Sequence, residues 1–517
     1  MKRLLVLLTT LFLLVSAVSC HESGNEQGGE KGEKTPFSVA DENGEPIYTL
    51  VRPDYCDDTL TASFVSLRKA LETYTGKDQT MKTDFLGRGE EVTDFDGIPE
   101  ILVGMTNRKE TAAVLNDLPE NGYEIRKIGN KIVILGKDET CTMIAVGRFI
   151  KALMPEEGTV KTVYEEDIFM KGVYSPADGP ANGVYYVNKI DGWFKSQGRT
   201  WLTEKGLILL SSSASFEFTA ECKGKLSLVV HADSNISGGN WGVFFTGYLD
   251  GERLDERFHV NDKGGTELVF AEDLAEGVHT VSLVRQTEWD RGDVYVSEIR
   301  LDGALRNPPE NAAHYIEFIG DSLTTGFGNL SEVEAAGEWG GIPLFQDSTQ
   351  AYCDLVAKKF GADYSVVAIQ GIGVCCGPQT IVMGDVYRNY PRVNEKDYDC
   401  SVSRKADLVV INMGTNDWEN KAAKGVRDAD ILDALKALGL QAKEMHPDAK
   451  VIYVTGMQPS YTTQLEGVVR NLGGEDAGFY YCQLPQNLNG HDYHPDLAGH
   501  KAAAKTLSAF IEAHSIF

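Results

Sequence analysis

Ser322 lies in the run IEFIGDSLTTGFGN, Ile316 to Asn329, where an apolar stretch gives way to small polar residues, as a buried strand does on surfacing. A serine alcohol attacks an acyl carbon only if a base takes its proton and donors hold the oxyanion that forms. Three other runs hold residues of the required kinds: Gly371 in IQGIGV, Asn416 in NMGTNDW and His494 in HDYHPD. His494 can act as the base, and the backbone N–H groups of Ser322 and Gly371 together with the Asn416 amide can form an oxyanion hole. A glycine at 371 fits this role because a bare backbone lets a substrate oxygen come close to its N–H. Each run alone reads as an ordinary turn; their conjunction carries the signal.

These residues need a scaffold that brings strand ends together. From about residue 311 to 517 strand-like runs alternate with helix-like ones: YIEFIG, QAYCDLVAKKFG, YSVVAI, ADLVVINM, ILDALKALGLQAKEM, KVIYVTGM and LAGHKAAAKTLSAFIEAH. Such alternation predicts a parallel sheet covered by helices on both faces, a three-layer α/β/α domain. In these sheets ligands sit outside the carboxyl ends of the strands, where the runs with Ser322, Gly371 and Asn416 fall. His446 in EMHPDAK precedes the strand beginning at Lys450, which puts it at the opposite edge and excludes it as the base. The glycine spacing of GIGVCCG departs from a dinucleotide-binding fingerprint, and no G-x-S-x-G elbow follows a strand.

Ahead of this domain, residues 183–303 read almost wholly as strand, with Gly and Asp turns at intervals, which predicts a β-sandwich of jelly-roll type. Trp193, Trp201, Trp241 and Trp289 lie in this segment and read as core before they read as a sugar-stacking row. The Pro/Gly-rich run SPADGPANG joins it to residues 36–174, which mix helical periods with a hairpin turning at Gly129 and Asn130 and predict an α+β layer domain.

GDSL at Gly320–Leu323, a glycine after the second strand, GTND at Gly414–Asp417 and HP at His494–Pro495, in that order, resemble the four blocks of the SGNH or GDSL hydrolases. GDSLTTGFGN with GIGV and DYHP is more similar to the acetyl esterases of carbohydrate esterase family 2, which also carry a β-sandwich ahead of the hydrolase domain. The resemblance covers Gly183 to Phe517. It implies a serine esterase that removes acetyl groups from sugars of the xylan or mannan type through an acetyl-enzyme on Ser322, with His494 as base and no metal or cofactor. It also implies that His494 is oriented either by Asp492 or by a backbone carbonyl, because His491 stands where the wider superfamily has its third acid. Trp418, Trp339 and Tyr493 are candidates for the wall of a sugar site, with core packing as the alternative for each. A lipase or thioesterase for longer acyl chains, and a surface glycan-binding lipoprotein without catalysis, are the competing readings. Residues 36–174 are similar in pattern to accessory domains of polysaccharide-degrading enzymes.

Charge and leader agree with an uncharged polymeric partner. The chain of 517 residues carries a net charge of −27, and a surface of that sign repels nucleic acid. Lys2 and Arg3 followed by the apolar run to Val18 form a secretory signal over residues 1–19. It ends SAVSC, which resembles a bacterial lipobox and makes Cys20 the expected lipidation site and the only membrane attachment, on the cell envelope. Residues 20–35 are Gly, Glu and Lys with little apolar content and read as a tether. The remaining cysteines, including the adjacent Cys375 and Cys376, lack metal-ligand spacing, so no metal site is expected.

Overall fold

The strands Tyr315–Gly320, Asp363–Ala368, Leu408–Asn412, Lys450–Thr455 and Phe479–Gln483 are apolar almost end to end, and they are buried accordingly. In the computed structural model, which describes residues 34–154, 162–180, 183–232, 242–261, 264–331, 343–391 and 404–517, they form one parallel sheet. The strand beginning at Asp363 lies at one edge, followed by those beginning at Tyr315, Leu408, Lys450 and Phe479. The chain order therefore reverses between the Tyr315 and Leu408 strands, the point outside whose carboxyl ends such sheets bind ligands. Side chains alternate between the faces. Ile316, Phe318, Val410 and Ile452 pack on one side with residues of the helices Tyr352–Phe360 and Leu497–Ala513. Ile319, Val409, Ile411 and Tyr453 pack on the other with Leu435 and Leu438 of the helix Asp428–Met445. The sequence reading missed the strand Phe479–Gln483, too short and aromatic for a clear period.

Glu317 shares the second face and is a buried charge. It accepts hydrogen bonds from Arg199 at 3.0 Å, Ser365 at 3.0 Å, Tyr387 at 2.5 Å and His446 at 3.0 Å. Burial opposes ionisation, but the Arg199 charge and the His446 bond hold the carboxyl down at about 2. The Nδ1 of His446 accepts from the Ala406 N–H, so this ring is fully engaged at the amino edge of the sheet.

Arg199 belongs to the strand-rich segment that precedes the sheet. Its long strands, Ser215–Ala232, Gly265–Arg285 and Val294–Arg306, are antiparallel. Gly265–Arg285 runs as one strand because it pairs with Ser215–Ala232 along its length and takes up the irregularity as bulges around Gly224. Trp201, Ile208, Leu210 and Trp289 of this segment pack against the parallel sheet's apolar cluster, and Trp193 packs into the segment's own core, whereas Trp241 lies outside the described residues.

In the first part of the chain, Thr49–Arg52, Met81–Thr83, Glu100–Val103 and Lys131–Gly136 pair in parallel. The hairpin strand Gly122–Ile128 and Met170–Val173 extend that sheet antiparallel. The parallel centre departs from the segregated helices and strands expected of an α+β layer: the helix Asp58–Thr75 crosses between two parallel strands, as a βαβ unit requires. Among the described residues no helix is long and apolar enough to cross a membrane. Cys20 and the leader lie outside the described residues.

Candidate active site

Gly320 ends its strand, and the chain turns at once into the short helix Ser322–Thr325, capped by Asp321, whose carboxylate accepts from the Leu323 N–H at 3.0 Å. Ser322 is thereby the first residue of a helical turn at the carboxyl edge of the sheet. From the other end of the chain, the loop before the final helix brings His494 to it: Nε2 of His494 lies 2.9 Å from Oγ of Ser322. Residues 172 positions apart in sequence form one hydrogen-bonded pair.

The other ring nitrogen explains how the imidazole is held. Nδ1 of His494 donates to the carbonyl oxygen of Asp492 at 2.9 Å. Asp492 and Tyr493 both adopt left-handed backbone, φ 50° and 57°, which folds that carbonyl back toward the ring. The Asp492 side chain is exposed. Of the two orienting groups considered from the sequence, the carbonyl is the one in contact, and the carboxylate acts only through its charge. His491 is buried among aromatic rings, with the centroid of Phe345 at 5.2 Å, and the edge of Phe327 meets His494 at 4.6 Å. Burial keeps the His494 pKa below its ordinary value, with the Asp492 carbonyl and charge pulling the other way. A neutral imidazole with Nδ1–H fixed presents a free electron pair on Nε2 to the serine alcohol.

Gly371 has φ +75°, and an added Cβ would meet Pro378 at 3.3 Å. The loop it opens is fastened by Asp417, a residue that reading for chemistry passed over. The Asp417 carboxylate accepts from the N–H groups of Val374 at 3.0 Å, Cys375 at 2.8 Å and Cys376 at 2.8 Å. Gly373 lies so close to Cys376 that a Cβ there would fall 1.8 Å from its carbonyl oxygen. Both adjacent thiols are free, and burial raises their pKa values, which suits packing rather than redox chemistry.

Asn416, the third expected oxyanion donor, has its amide engaged. Its Nδ2 donates to the Ile372 carbonyl at 3.0 Å and to the Asp321 carboxylate at 3.2 Å, which ties the Gly371 loop to the residue before the serine. Burial, with the Asp417 charge adding to it, pushes the Asp321 carboxyl up to about 7. The helix Thr415–Lys424, whose polar sequence hid it, carries Asn416 and Asp417 in its first turn.

Residues 318–502 match the profile of the GDSL-like Lipase/Acylhydrolase family. The chain is also similar to two curated proteins. One is a cellulase/esterase, CelE, from Acetivibrio thermocellus, 29% identical over 296 residues that make up 53% of this chain and 34% of that protein. The other is an acetylxylan esterase / glucomannan deacetylase from Cellvibrio japonicus, 32% identical over 158 residues, 28% of this chain and 42% of that protein. The chain thus spans less than half the length of each. A family two carbohydrate esterase from Clostridium thermocellum, solved in complex with cellohexaose, shares the fold with a TM-score of 0.55 at 24% identity, covering 62% of this chain and 98% of that one.

Around the GDSL domain's serine the expected sugar wall is uneven. Trp418 is 37% exposed, but Lys421 covers one face at 3.9 Å and Tyr461 meets it edge-on at 5.1 Å. Tyr493 is 62% exposed beside His494, its carbonyl held by Gln458 at 2.8 Å. Trp339 lies outside the described residues.

Proposed function

We propose that the protein is a serine esterase that removes O-acetyl groups from hemicellulose sugars of the xylan or mannan type. The observation that carries the reading is the 2.9 Å contact between Ser322 Oγ and a His494 ring whose other nitrogen is fixed by a carbonyl. His494 takes the proton as Ser322 Oγ bonds to the acetyl carbon. The carbonyl oxygen becomes an oxyanion held by the N–H groups of Ser322 and Gly371. Asn416 completes the hole by exchanging its 3.2 Å contact with Asp321 for that oxygen. His494 then gives its proton to the departing sugar oxygen, which leaves an acetyl-enzyme. Water attacks that ester with His494 again as base, and acetate leaves as Ser322 regains its proton. Tyr493 and the open side of Trp418 flank the sugar. The antiparallel segment is a jelly-roll-like sandwich, and Cys20 anchors the chain to a bacterial envelope by lipid.

The names of the two curated relatives support an acetylated polysaccharide as substrate. The test is acetate release from acetylated xylan and acetylated glucomannan by the purified chain and its Ser322→Ala variant. Release by the parent and none above background by the variant is expected. Turnover confined to long-chain esters would replace this reading with a lipase.

A further inference from the structure

The turn Thr287–Gly292 leaves the strand Gly265–Arg285 of the antiparallel segment and reaches the carboxyl edge of the GDSL sheet. Glu288 at its start has no exposed surface. One carboxylate oxygen accepts from the backbone N–H of Gln370 at 2.7 Å. The other accepts from the Thr325 hydroxyl at 3.1 Å and lies 3.5 Å from the Gln346 amide. Gln370 directly precedes Gly371, and Thr325 closes the helical turn that Ser322 begins. Arg291, also buried, donates to the side-chain oxygen of Gln370 at 2.9 Å, and Gln379 donates to its carbonyl at 2.9 Å. Gln370 is therefore held at its backbone N–H, its side chain and its carbonyl. The turn that grips it is itself fixed: the buried Arg285 donates to the carbonyls of Thr287 at 2.9 Å, Gly292 at 3.0 Å and Leu209 at 2.7 Å, and to that of Glu288.

From this geometry we infer that the antiparallel segment takes part in catalysis, with Glu288, assisted by Arg291, as a positioning residue that sets the distance between the Ser322 turn and the Gly371 donor. A buried carboxylate is costly, and an apolar side chain of similar volume often seals such an interface as well or better. What an apolar residue cannot do is hold two loops of the neighbouring sheet by their polar groups. The oxyanion hole depends on that spacing, since two of its three donors are the backbone N–H groups of Ser322 and Gly371, one on each of those loops.

This inference rests on the acyl-transfer reading above, and the test separates the two. Hydrolysis of 4-nitrophenyl acetate is followed for the full chain and for Glu288→Ala, Glu288→Gln, Arg291→Ala and Thr325→Val, with thermal midpoints for each. Displacement of the donor in Glu288→Ala is expected to lower kcat about 100-fold with KM within about twofold. Glu288→Gln keeps an acceptor for the Gln370 N–H and recovers kcat to within about tenfold of the parent. Arg291→Ala, which leaves Glu288 in place, loses about tenfold in kcat and serves if Glu288→Ala does not fold. Parent-like kcat in Glu288→Ala or in Arg291→Ala overturns the inference and leaves the esterase reading standing. So does a loss in all four variants that follows the thermal midpoint, without rescue by Gln. A parent protein inert toward acetyl esters sinks the esterase reading itself.

Discussion

Replacing Asp492 by Asn isolates what orients the His494 imidazole. Where a side-chain acid does this work in a serine triad, the Asp→Asn change costs about 10⁴ in kcat. Here Nδ1 of His494 donates to the carbonyl of residue 492 at 2.9 Å, and that atom survives any substitution. Asn also tolerates the left-handed backbone at φ 50°, ψ 43°, whereas Ala would add strain of about 1–2 kcal/mol. What Asn removes is a charge on an exposed side chain, worth about 1 kcal/mol a few ångströms away in water. That converts to about fivefold in rate. The assay is kcat/KM for 4-nitrophenyl acetate with Ser322→Ala as the baseline. The expectation is that Asp492→Asn stays within about tenfold of the parent. A loss of a thousandfold or more in a folded Asp492→Asn variant would refute the carbonyl's role.

Three further outcomes are expected. Burial lowers the His494 pKa, so the neutral, active imidazole persists to lower pH: the acid limb of kcat/KM should have its midpoint below 6.5, and Asp492→Asn, by removing a charge that favours imidazolium, should move it lower still. A midpoint above 6.5 in the parent's pH–rate profile contradicts this. Asp417→Ala releases the N–H groups of Val374, Cys375 and Cys376; urea unfolding should report a loss of about 2 kcal/mol and acetyl-ester kinetics a fall in kcat of about 100-fold. Arg199→Met leaves Glu317 buried without its cationic partner, and the loss read from urea unfolding should be about 3 kcal/mol.

The pairing of Ser322 with His494 was legible in the sequence because each motif abuts a strand or helix with a strong period, and parallel-sheet topology sends such strand ends to one edge. His446 could be set aside on the same logic, and it does lie at the far edge, bonded to Glu317. Less could be read where short segments depend on their neighbours. The strand Phe479–Gln483 and the helix Thr415–Lys424 owe their form to the sheet they join, and the long strand Gly265–Arg285 to its bulged partner. Nothing local marks Asp417 as the clasp of the Gly371 loop or Glu288 as a contact across segments, since both roles exist only after folding. The choice between the Asp492 carboxylate and its carbonyl was likewise open until φ and ψ were known.

The Pro/Gly-rich joint after residue 174 looks in sequence like a place to divide the chain. In the folded protein Tyr185 donates to the carbonyl of Pro176 at 2.5 Å and accepts from Leu305 N–H at 3.2 Å, and Lys189 reaches Asp138 at 3.5 Å. Phe149, Leu153, Tyr174, Val187 and Phe216 belong to one continuous apolar cluster that runs from the first sheet into the antiparallel strands. A chain cut at that joint would begin with a freshly uncovered greasy face, so anyone trimming this protein for use should keep residues 34–306 as a single block or redesign the exposed side.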